Sequence, residues 1–278
     1  MQTWATAEAA EAWRQGAERR RQALGPATER MLDLARVRPG SRVLDLAAGT
    51  GDQSLLGAER VGASGLVLAT DISETMLEVA RRTARQAGLD TIQTRVMDAA
   101  AIDLDASSAF DAVICRLGLM FVSDLQAALR GVLRVLAPGG RLAAMVWSGA
   151  ERNPMLGRPD AIADRLGLPA APRETLRRAL SLGDPAQLEA ALASAGFVDG
   201  VVERVAAPRR FGSVAEAVSY ARTESPVWRD LVASVSEAQA GRFWAEVEQA
   251  FGAYATGDAG CEFPGEVLVA AGARPGAG

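Results

Sequence analysis

Two residue types, histidine and lysine, are missing from this 278-residue sequence. All 30 of its basic residues are arginine. Several common kinds of active site need one of these side chains. Composition alone therefore excludes Ser-His-Asp and Cys-His nucleophile pairs, histidine metal sites, pyridoxal Schiff bases and lysine-bearing phosphate loops. Any proton transfer must use Asp, Glu, Tyr, Cys, a chain terminus or water.

Cysteine, long apolar runs and clustered positive charge are also scarce. Cys115 and Cys261 are the only cysteines, so the sequence predicts neither a disulfide framework nor a metal site. No run approaches the roughly 20 apolar residues of a membrane span, and the first residues lack the pattern of a signal peptide. We expect a cytoplasmic protein. The net charge of −4 and the isolated run Arg19-Arg20-Arg21 do not favour a nucleic-acid partner.

Short apolar runs alternate with helical patterns along much of the chain. This alternation predicts an α/β fold, a Rossmann-like, doubly wound and mostly parallel sheet of seven strands with helical lid insertions. We expect an N-terminal helical flap at 1–36, a core at 37–148, and the rest of the sheet at 149–278. Long insertions at about 150–183 and 213–256 are predicted to act as lids.

Two boundaries can be predicted from turn residues. A helix over 5–24, which carries Trp13, is expected to end at Gly25-Pro26, with a second short helix following. Pro138-Gly139-Gly140 is expected to end another helix, so that a strand begins at Arg141.

The most informative stretch runs from Ser41 to Gln53. Its apolar residues lead into a turn with Gly49 and Gly51, and a helical pattern then resumes, which predicts a buried strand, a tight turn and a helix. Acids also follow one another at the ends of three successive predicted strands, namely Asp45, Asp71 and Asp98. The carboxyl ends of parallel strands line one crevice, so these acids predict a nucleotide-like ligand there.

Two ligand classes fit this crevice: a dinucleotide or S-adenosylmethionine. A dinucleotide site favours a third glycine in the turn and a helix N-terminus free to meet pyrophosphate. This turn has no third glycine, and Asp52 at the helix start would repel phosphate. S-adenosylmethionine carries no phosphate, and Asp45 could help to hold its cationic end.

The motifs resemble those of class I S-adenosylmethionine-dependent methyltransferases, most closely the ubiquinone/menaquinone C-methyltransferase type and its small-molecule-modifying relatives. The similarity covers about residues 35–147, with Ala47 in place of the usual first glycine of motif I. The matching segments, in chain order, are Val43 to Gly51, Ala69 to Ser73 with Met76-Leu77, Met97 to Ala99, Phe110 to Val113, and Arg134 to Arg141.

The resemblance implies roles for individual residues. Gly49 and Gly51 would pass under the methionine part of the cofactor, Asp71 would bind the ribose hydroxyls, and Asp98 would accept from the adenine amino group. The implied cofactor-binding set is Asp45, Ala47, Gly49, Gly51, Gln53, Asp71, Ile72, Met76, Asp98, Ala99 and Arg116. Ile72 and Met76 could equally be ordinary core residues. Candidate acceptor-binding residues are Met120, Phe121 and Trp147.

The implied activity is transfer of a methyl group from S-adenosylmethionine to carbon or oxygen of a small-molecule acceptor. Arg116 follows a buried strand and needs an anionic partner, which could be the cofactor, the substrate or Asp124. Two alternatives remain: a protein that uses S-adenosylmethionine without methylating, for pericyclic or decarboxylation chemistry, and a nicotinamide-dependent oxidoreductase. The sequence leaves open the acceptor, the catalytic base and whether the chain forms a dimer.

Overall fold

The computed structural model describes residues 7–105, 109–257 and 260–276. The first six residues of the expected flap at 1–36 lie outside this described part. The helices are α1 Ala7–Gln15, α2 Ala17–Leu34, α3 Asp52–Val61, α4 Glu74–Gln86, α5 Leu125–Val135, α6 Pro154–Arg165, α7 Glu174–Ala179, α8 Pro185–Ala195, α9 Val214–Glu224, α10 Pro226–Ala233 and α11 Glu237–Gly252. The strands are β1 Arg42–Leu46, β2 Leu66–Asp71, β3 Ile92–Val96, β4 Phe110–Arg116, β5 Leu136–Trp147, β6 Val198–Ala206, β7 Arg209–Phe211, β8 Cys261–Phe263 and β9 Glu266–Ala273.

Seven of these strands form one sheet in the order β3-β2-β1-β4-β5-β9-β6. The pairs β1 with β2, β1 with β4, β2 with β3 and β4 with β5 are parallel. The predicted fold class is thereby confirmed. Val43, Leu44 and Leu46 of the central strand have no exposed surface, as expected where helices cover both faces of a parallel sheet.

The chain divides into two compact units. The first combines the chain up to Val146 with Asp184–Val205 and the segment from Leu268 onward, and it contains most of the large sheet. The second combines Trp147–Gly183 with Ala206–Val267. None of the helices in the described ranges has the length and apolar character needed to span a bilayer.

The predicted helix boundary at Gly25-Pro26 is wrong. Helix α2 runs through this pair from Ala17 to Leu34, and the interruption lies earlier, at Gly16. Pro26 removes one backbone donor from the helix, but α2 buries a face that continues on both sides of the pair. The buried residues of that face are Leu24, Ala27, Thr28, Met31 and Leu32. Burial of this face outweighs the local cost of proline and glycine.

The start of β5 also differs from the prediction. The strand begins at Leu136 and includes Pro138-Gly139-Gly140, so the register with β4 shifts between Phe110 and Ala112. A side chain at Gly140 would lie 3.0 Å from the carbonyl oxygen of Phe110. The close approach of two backbones therefore requires glycine here, and the glycines mark a bulge rather than a loop.

The second unit has an aromatic core. Helices α6, α9, α10 and α11 pack with the antiparallel two-stranded sheet formed by β7 and β8, a pairing that the sequence pattern did not predict. Each of these two strands has only three residues, too few for a clear alternating pattern. The aromatic members of the core are Phe211, Trp228, Phe243, Trp244, Phe251 and Phe263.

Arg173 is buried at the edge of this core, with 1% of its surface exposed. All five N–H groups of its guanidinium have an acceptor. The carboxylates of Asp160 and Asp164 accept from it, with the latter 2.8 Å from Nη2, and the backbone carbonyls of Pro169, Leu168 and Asp160 complete the set. Because every donor is used, this arginine has a structural role.

We expect Arg173→Met to lower the free energy of unfolding by about 3 kcal/mol, since it leaves two carboxylates and several carbonyls without their partner. Arg177 contacts the same two carboxylates but is 39% exposed, so Arg177→Met should cost much less stability than Arg173→Met. Urea denaturation followed by near-UV circular dichroism would measure both. Equal losses for the two variants would contradict the structural assignment.

Candidate cofactor site

The turn between β1 and α3, residues 47–51, has left-handed backbone at three positions. The φ angles are 53° at Ala47, 56° at Gly49 and 85° at Gly51. The turn is fixed by hydrogen bonds from Ala48 N–H to the Thr70 carbonyl, at 2.9 Å, and from Gly51 N–H to the Ala48 carbonyl, at 3.0 Å. The backbone is thus held in the conformation that lets a ligand approach a helix start closely.

Asp71 is the last residue of β2, and its carboxylate lies against this turn. One oxygen accepts the Gly49 N–H at 2.9 Å and the other accepts the Ser73 N–H at 2.9 Å. Burial raises the pKa of Asp71, although the backbone N–H groups of Ser73, Gly49 and Ile72 act in the opposite direction. Each carboxylate oxygen can accept a second hydrogen bond, so the pair of ribose hydroxyls that the sequence analysis assigned to Asp71 has acceptors available.

Two exposed apolar side chains stand beside Asp71. Ile72 is 47% exposed and Val96, at the end of β3, is 50% exposed. Val96 is the register partner of Asp71, so both lie at the same edge of the sheet. Ile72 is therefore not a core residue, which was one of its two predicted roles. Val96 was missed, because a strand-end valine in a sequence gives no sign of its exposure.

The third predicted acid, Asp98, follows β3 and is exposed. Its carboxylate accepts the Ala100 N–H at 2.8 Å, while Ala99 is 9% exposed. The Met97 N–H donates to the Asp71 carbonyl at 2.9 Å. This bond links the segment of Asp98 and Ala99 to the end of β2, so two of the three acids lie on adjoining segments.

Asp45 is different, because its side chain has no exposed surface. Its carboxylate accepts hydrogen bonds from Gln53 Nε2, at 3.0 Å, and from the Ser54 hydroxyl. Gln53 is itself 2% exposed. Both residues were predicted to bind the cofactor, and the structure buries both, Asp45 near the end of β1 and Gln53 in the first turn of α3. Ser54 was not predicted, although it lies on the same helix turn as Gln53.

The partner of Arg116 is Asp52, and the suggested alternative, Asp124, is wrong for this structure. Arg116 Nη2 lies 3.1 Å from Asp52 Oδ2, and Arg20 from α2 lies 2.8 Å from the same oxygen. Asp124 instead caps α5 by accepting the Ala127 N–H. Burial would raise the pKa of Asp52, but the two arginines hold it below its usual value. Two cations share one carboxylate, which leaves a net positive charge beside the glycine turn.

The N-terminal helices also reach this turn. Arg20 lies over the ring of Trp13, with Cζ 4.1 Å from the ring centroid, and a methyl group at Gly49 would lie 3.7 Å from Trp13 Nε1. Met76 is 4% exposed and packs with Ala10, Val79 and Trp13. Its position corresponds to the core-packing role that the sequence left open.

The predicted acceptor-binding residues fall in different parts of the chain. Met120 and Phe121 lie in a short 3-10 helix, Leu119–Phe121, in the first unit, where Met120 is 4% exposed. Trp147 belongs to the second unit, where Arg209 lies over its ring. Their binding roles stay predictions.

One prediction for this site concerns the pH dependence of stability. Burial raises the pKa of Asp45 to about 7, despite the donors from Ser54 and Gln53. Between about pH 4 and pH 7 the folded protein therefore keeps a proton that the unfolded chain has lost. The free energy of unfolding should fall as pH rises through this window, by at most about 1.4 kcal/mol per pH unit.

Asp45→Asn preserves the shape but cannot titrate. The difference in unfolding free energy between wild type and this variant should slope with pH. Urea denaturation at several pH values measures this difference. A flat difference for Asp45→Asn would refute the assignment.

Another prediction concerns Ala47, the alanine with a left-handed backbone in the glycine turn. A side chain at Gly118 would lie 2.5 Å from the Ala47 methyl and 2.8 Å from Cys115 Sγ. Gly118→Ala should therefore lower the free energy of unfolding by about 2 kcal/mol. Ala47→Gly removes one of these clashes and a left-handed alanine, so in the double variant the loss should shrink by about 1 kcal/mol. Thermal or urea denaturation of the four proteins measures the coupling, and strict additivity would contradict it.

The sequence comparisons concern mainly the part of the chain that forms this site. Residues 27–158 match the model of the ubiE/COQ5 methyltransferase family. The Ubiquinone/menaquinone biosynthesis C-methyltransferase UbiE of Idiomarina loihiensis is 40% identical over 118 residues, which are 42% of this chain and 47% of that protein. The chain thus spans about half the length of the curated relatives it matches.

Solved structures extend the similarity in fold. The YcgJ protein of Bacillus subtilis superposes with a TM-score of 0.61 at 19% identity, covering 91% of this chain and all of the other. The [4+2]-cyclase SpnF superposes with a TM-score of 0.54 at 21% identity, covering 92% of this chain and 82% of the other. At these low sequence identities, the similarity shows a shared fold and nothing about function. On the sequence match, the segment 27–158 is similar to the class I S-adenosylmethionine-dependent methyltransferases of the ubiE/COQ5 type.

Proposed function

We propose that the protein is an S-adenosylmethionine-dependent methyltransferase that transfers a methyl group to carbon or oxygen of a small-molecule acceptor. One observation supports this most directly. The left-handed glycine turn, the doubly hydrogen-bonded carboxylate of Asp71 and the exposed apolar side chains of Ile72 and Val96 stand together at one edge of the sheet. An isolated turn or capping acid would not need exposed apolar neighbours.

The proposed cofactor site uses each of these groups for a different part of the ligand. Asp71 would accept from the ribose hydroxyls, and Ile72 and Val96 would cover the adenine ring. Asp98 would accept from the adenine amino group. The positive charge in excess around Asp52, from Arg20 and Arg116, suits the carboxylate of the methionine part. Arg20 comes from the N-terminal helices and is an addition to the set that the sequence implied.

Methyl transfer from S-adenosylmethionine needs little acid–base catalysis by the protein. When bound, S-adenosylmethionine supplies a sulfonium methyl group that is already a strong electrophile. The chain's own contribution is then to bind and orient the acceptor and to exclude water. A sequence without histidine and lysine can do this, and a base is needed only if the acceptor retains its proton.

One relative and two insertions bear on the class of acceptor. The relative from Idiomarina loihiensis is named for ubiquinone and menaquinone biosynthesis, so a quinone precursor or another modestly apolar small molecule is our proposed acceptor. The family match ends at residue 158. We propose that the insertions at 150–183 and 213–256, which lie almost wholly beyond it, select the acceptor.

The cofactor site can be tested with two exposed apolar residues. Ile72→Asp should weaken binding of S-adenosylmethionine and S-adenosylhomocysteine roughly tenfold, because the adenine loses an apolar contact. Val198 is a matched control, since it is 44% exposed but lies on β6, the outer strand at the opposite side of the sheet from β3. Val198→Asp should leave the affinity unchanged. Isothermal titration calorimetry measures all three proteins.

Three outcomes would contradict the methyltransferase proposal or replace it with an alternative. If the folded wild type bound neither ligand, the methyltransferase proposal would fall. If it bound both but released no S-adenosylhomocysteine with any member of a broad small-molecule panel, the non-methylating alternative would replace it. Binding of a nicotinamide dinucleotide in place of S-adenosylmethionine would favour an oxidoreductase.

A further inference from the structure

Two adjacent arginines in β7 face opposite sides of a two-stranded sheet. Side chains alternate along a strand, and Arg210 lies on the outer side, where its Nε is 2.9 Å from a carboxylate oxygen of Glu262. Arg209 lies on the same side as Phe211, which is 8% exposed and packs against Phe263 in the core of the second unit. The inward-facing arginine is therefore the unusual member of the pair.

Aromatic and apolar groups of the second unit surround Arg209. Its Cζ lies 5.0 Å from the ring centroid of Trp147, and its Nη1 lies 3.6 Å from Met155 Sδ. Burial lowers the pKa of Arg209, and the nearby Tyr220 acts in the opposite direction. Within residues 7–105, 109–257 and 260–276, no aspartate or glutamate is paired with it.

The donors of this guanidinium are almost unused. A guanidinium has five N–H groups, and the only acceptor the described structure offers to those of Arg209 is a thioether sulfur, which is a weak one. Arg173, in the same unit, uses all five on carboxylates and carbonyls. Among the described residues no buried side-chain nitrogen or oxygen lacks a partner. The unused N–H groups of Arg209 must therefore reach solvent, where a ligand can meet them.

These observations point to a ligand with an oxyanion. A planar guanidinium fork matches the two oxygens of a carboxylate, and its stacking on an aromatic ring holds it in one orientation before the ligand arrives. We propose that Arg209 binds the carboxylate group of a small molecule, with Trp147 and Met155 positioning the guanidinium. This site lies within the second unit and goes beyond the proposed methyltransferase function.

Benzoate is a suitable first probe, with benzamide as its uncharged analogue and phenyl phosphate as a second oxyanion. The protein contains five tryptophans, and the indole resonance of Trp147 can be identified in ¹⁵N-tryptophan-labelled protein as the one lost in Trp147→Phe. We expect benzoate to shift this resonance saturably and benzamide at equal concentration to leave it in place. A stronger response to phenyl phosphate than to benzoate would replace the carboxylate with a phosphate in the proposal.

Arg209→Gln and Arg210→Gln form a matched pair of variants. Removing a charge-assisted, paired contact should weaken benzoate binding by tenfold or more in Arg209→Gln, while Arg210→Gln should bind as the wild type does. Equal effects of the two substitutions would overturn the proposal, because the response would then reflect the net charge of the surface. An absent benzoate shift, or an equal shift with benzamide, would overturn it as well.

Cofactor titration separates a failure here from a failure of the proposed function. Arg209→Gln should bind S-adenosylmethionine with the wild-type affinity while losing affinity for benzoate. If benzoate bound at Arg209 but no form of the protein bound S-adenosylmethionine, the methyltransferase function would fail and the anion site would stand. If the protein bound S-adenosylmethionine but not benzoate, the anion site would fail and the methyltransferase function would stand.

Discussion

The carboxylate of Asp71 joins the segments that make the candidate cofactor site. It accepts one N–H from the glycine turn after β1 and one from Ser73 at the start of α4. The backbone carbonyl of Asp71 accepts a third N–H, from Met97 just after β3. Three chain segments are thus held at one edge of the sheet before any ligand binds. Preorganisation of this kind lowers the entropic cost of binding, and it depends on a turn whose backbone can take positive φ angles.

Arginine carries every positive side-chain charge in this protein, and this has a physical consequence. A guanidinium does not lose its proton in the working range of pH, so the charges of Arg20, Arg116, Arg173 and Arg209 are constant. Arg20 and Arg116 share one carboxylate, and Arg173 has all its donors satisfied. Arg209 has neither arrangement. Sensitivity to pH instead resides in buried carboxylates, above all Asp45, because desolvation disfavours their charged form.

The segment that resembles known methyltransferases and the segment that is proposed to choose the acceptor are largely different. The family match covers 27–158 and includes each of the residues proposed for the adenine and ribose. Arg209 and the aromatic core of the second unit lie beyond it. A similar cofactor-binding segment can therefore occur with a different acceptor.

Local pattern was sufficient to predict the alternation of strands and helices, the positive-φ turn and the acids at successive strand ends. Each of these depends on the periodicity or turn chemistry of a few neighbouring residues. The same reasoning placed Asp71 and Asp98 at the edge of the sheet where the structure has them. It could also name Asp45 and Gln53, but not that burial would turn them toward each other.

Tertiary packing decided the rest. Helix α2 continues through Gly25-Pro26 because its buried face spans the pair. Arg116 pairs with Asp52 because the fold brings together two residues that are far apart in sequence. Val96 is exposed because it ends β3 beside Asp71. Among the described residues no carboxylate pairs with Arg209, because β7 turns it toward an aromatic core. Local sequence therefore accounts for the alternation of strands and helices up to Trp147 and for the positions of the acids along it. Partners and exposure followed only from the packing of distant segments, since burial and charge pairing are properties of the folded chain and not of any short stretch of it.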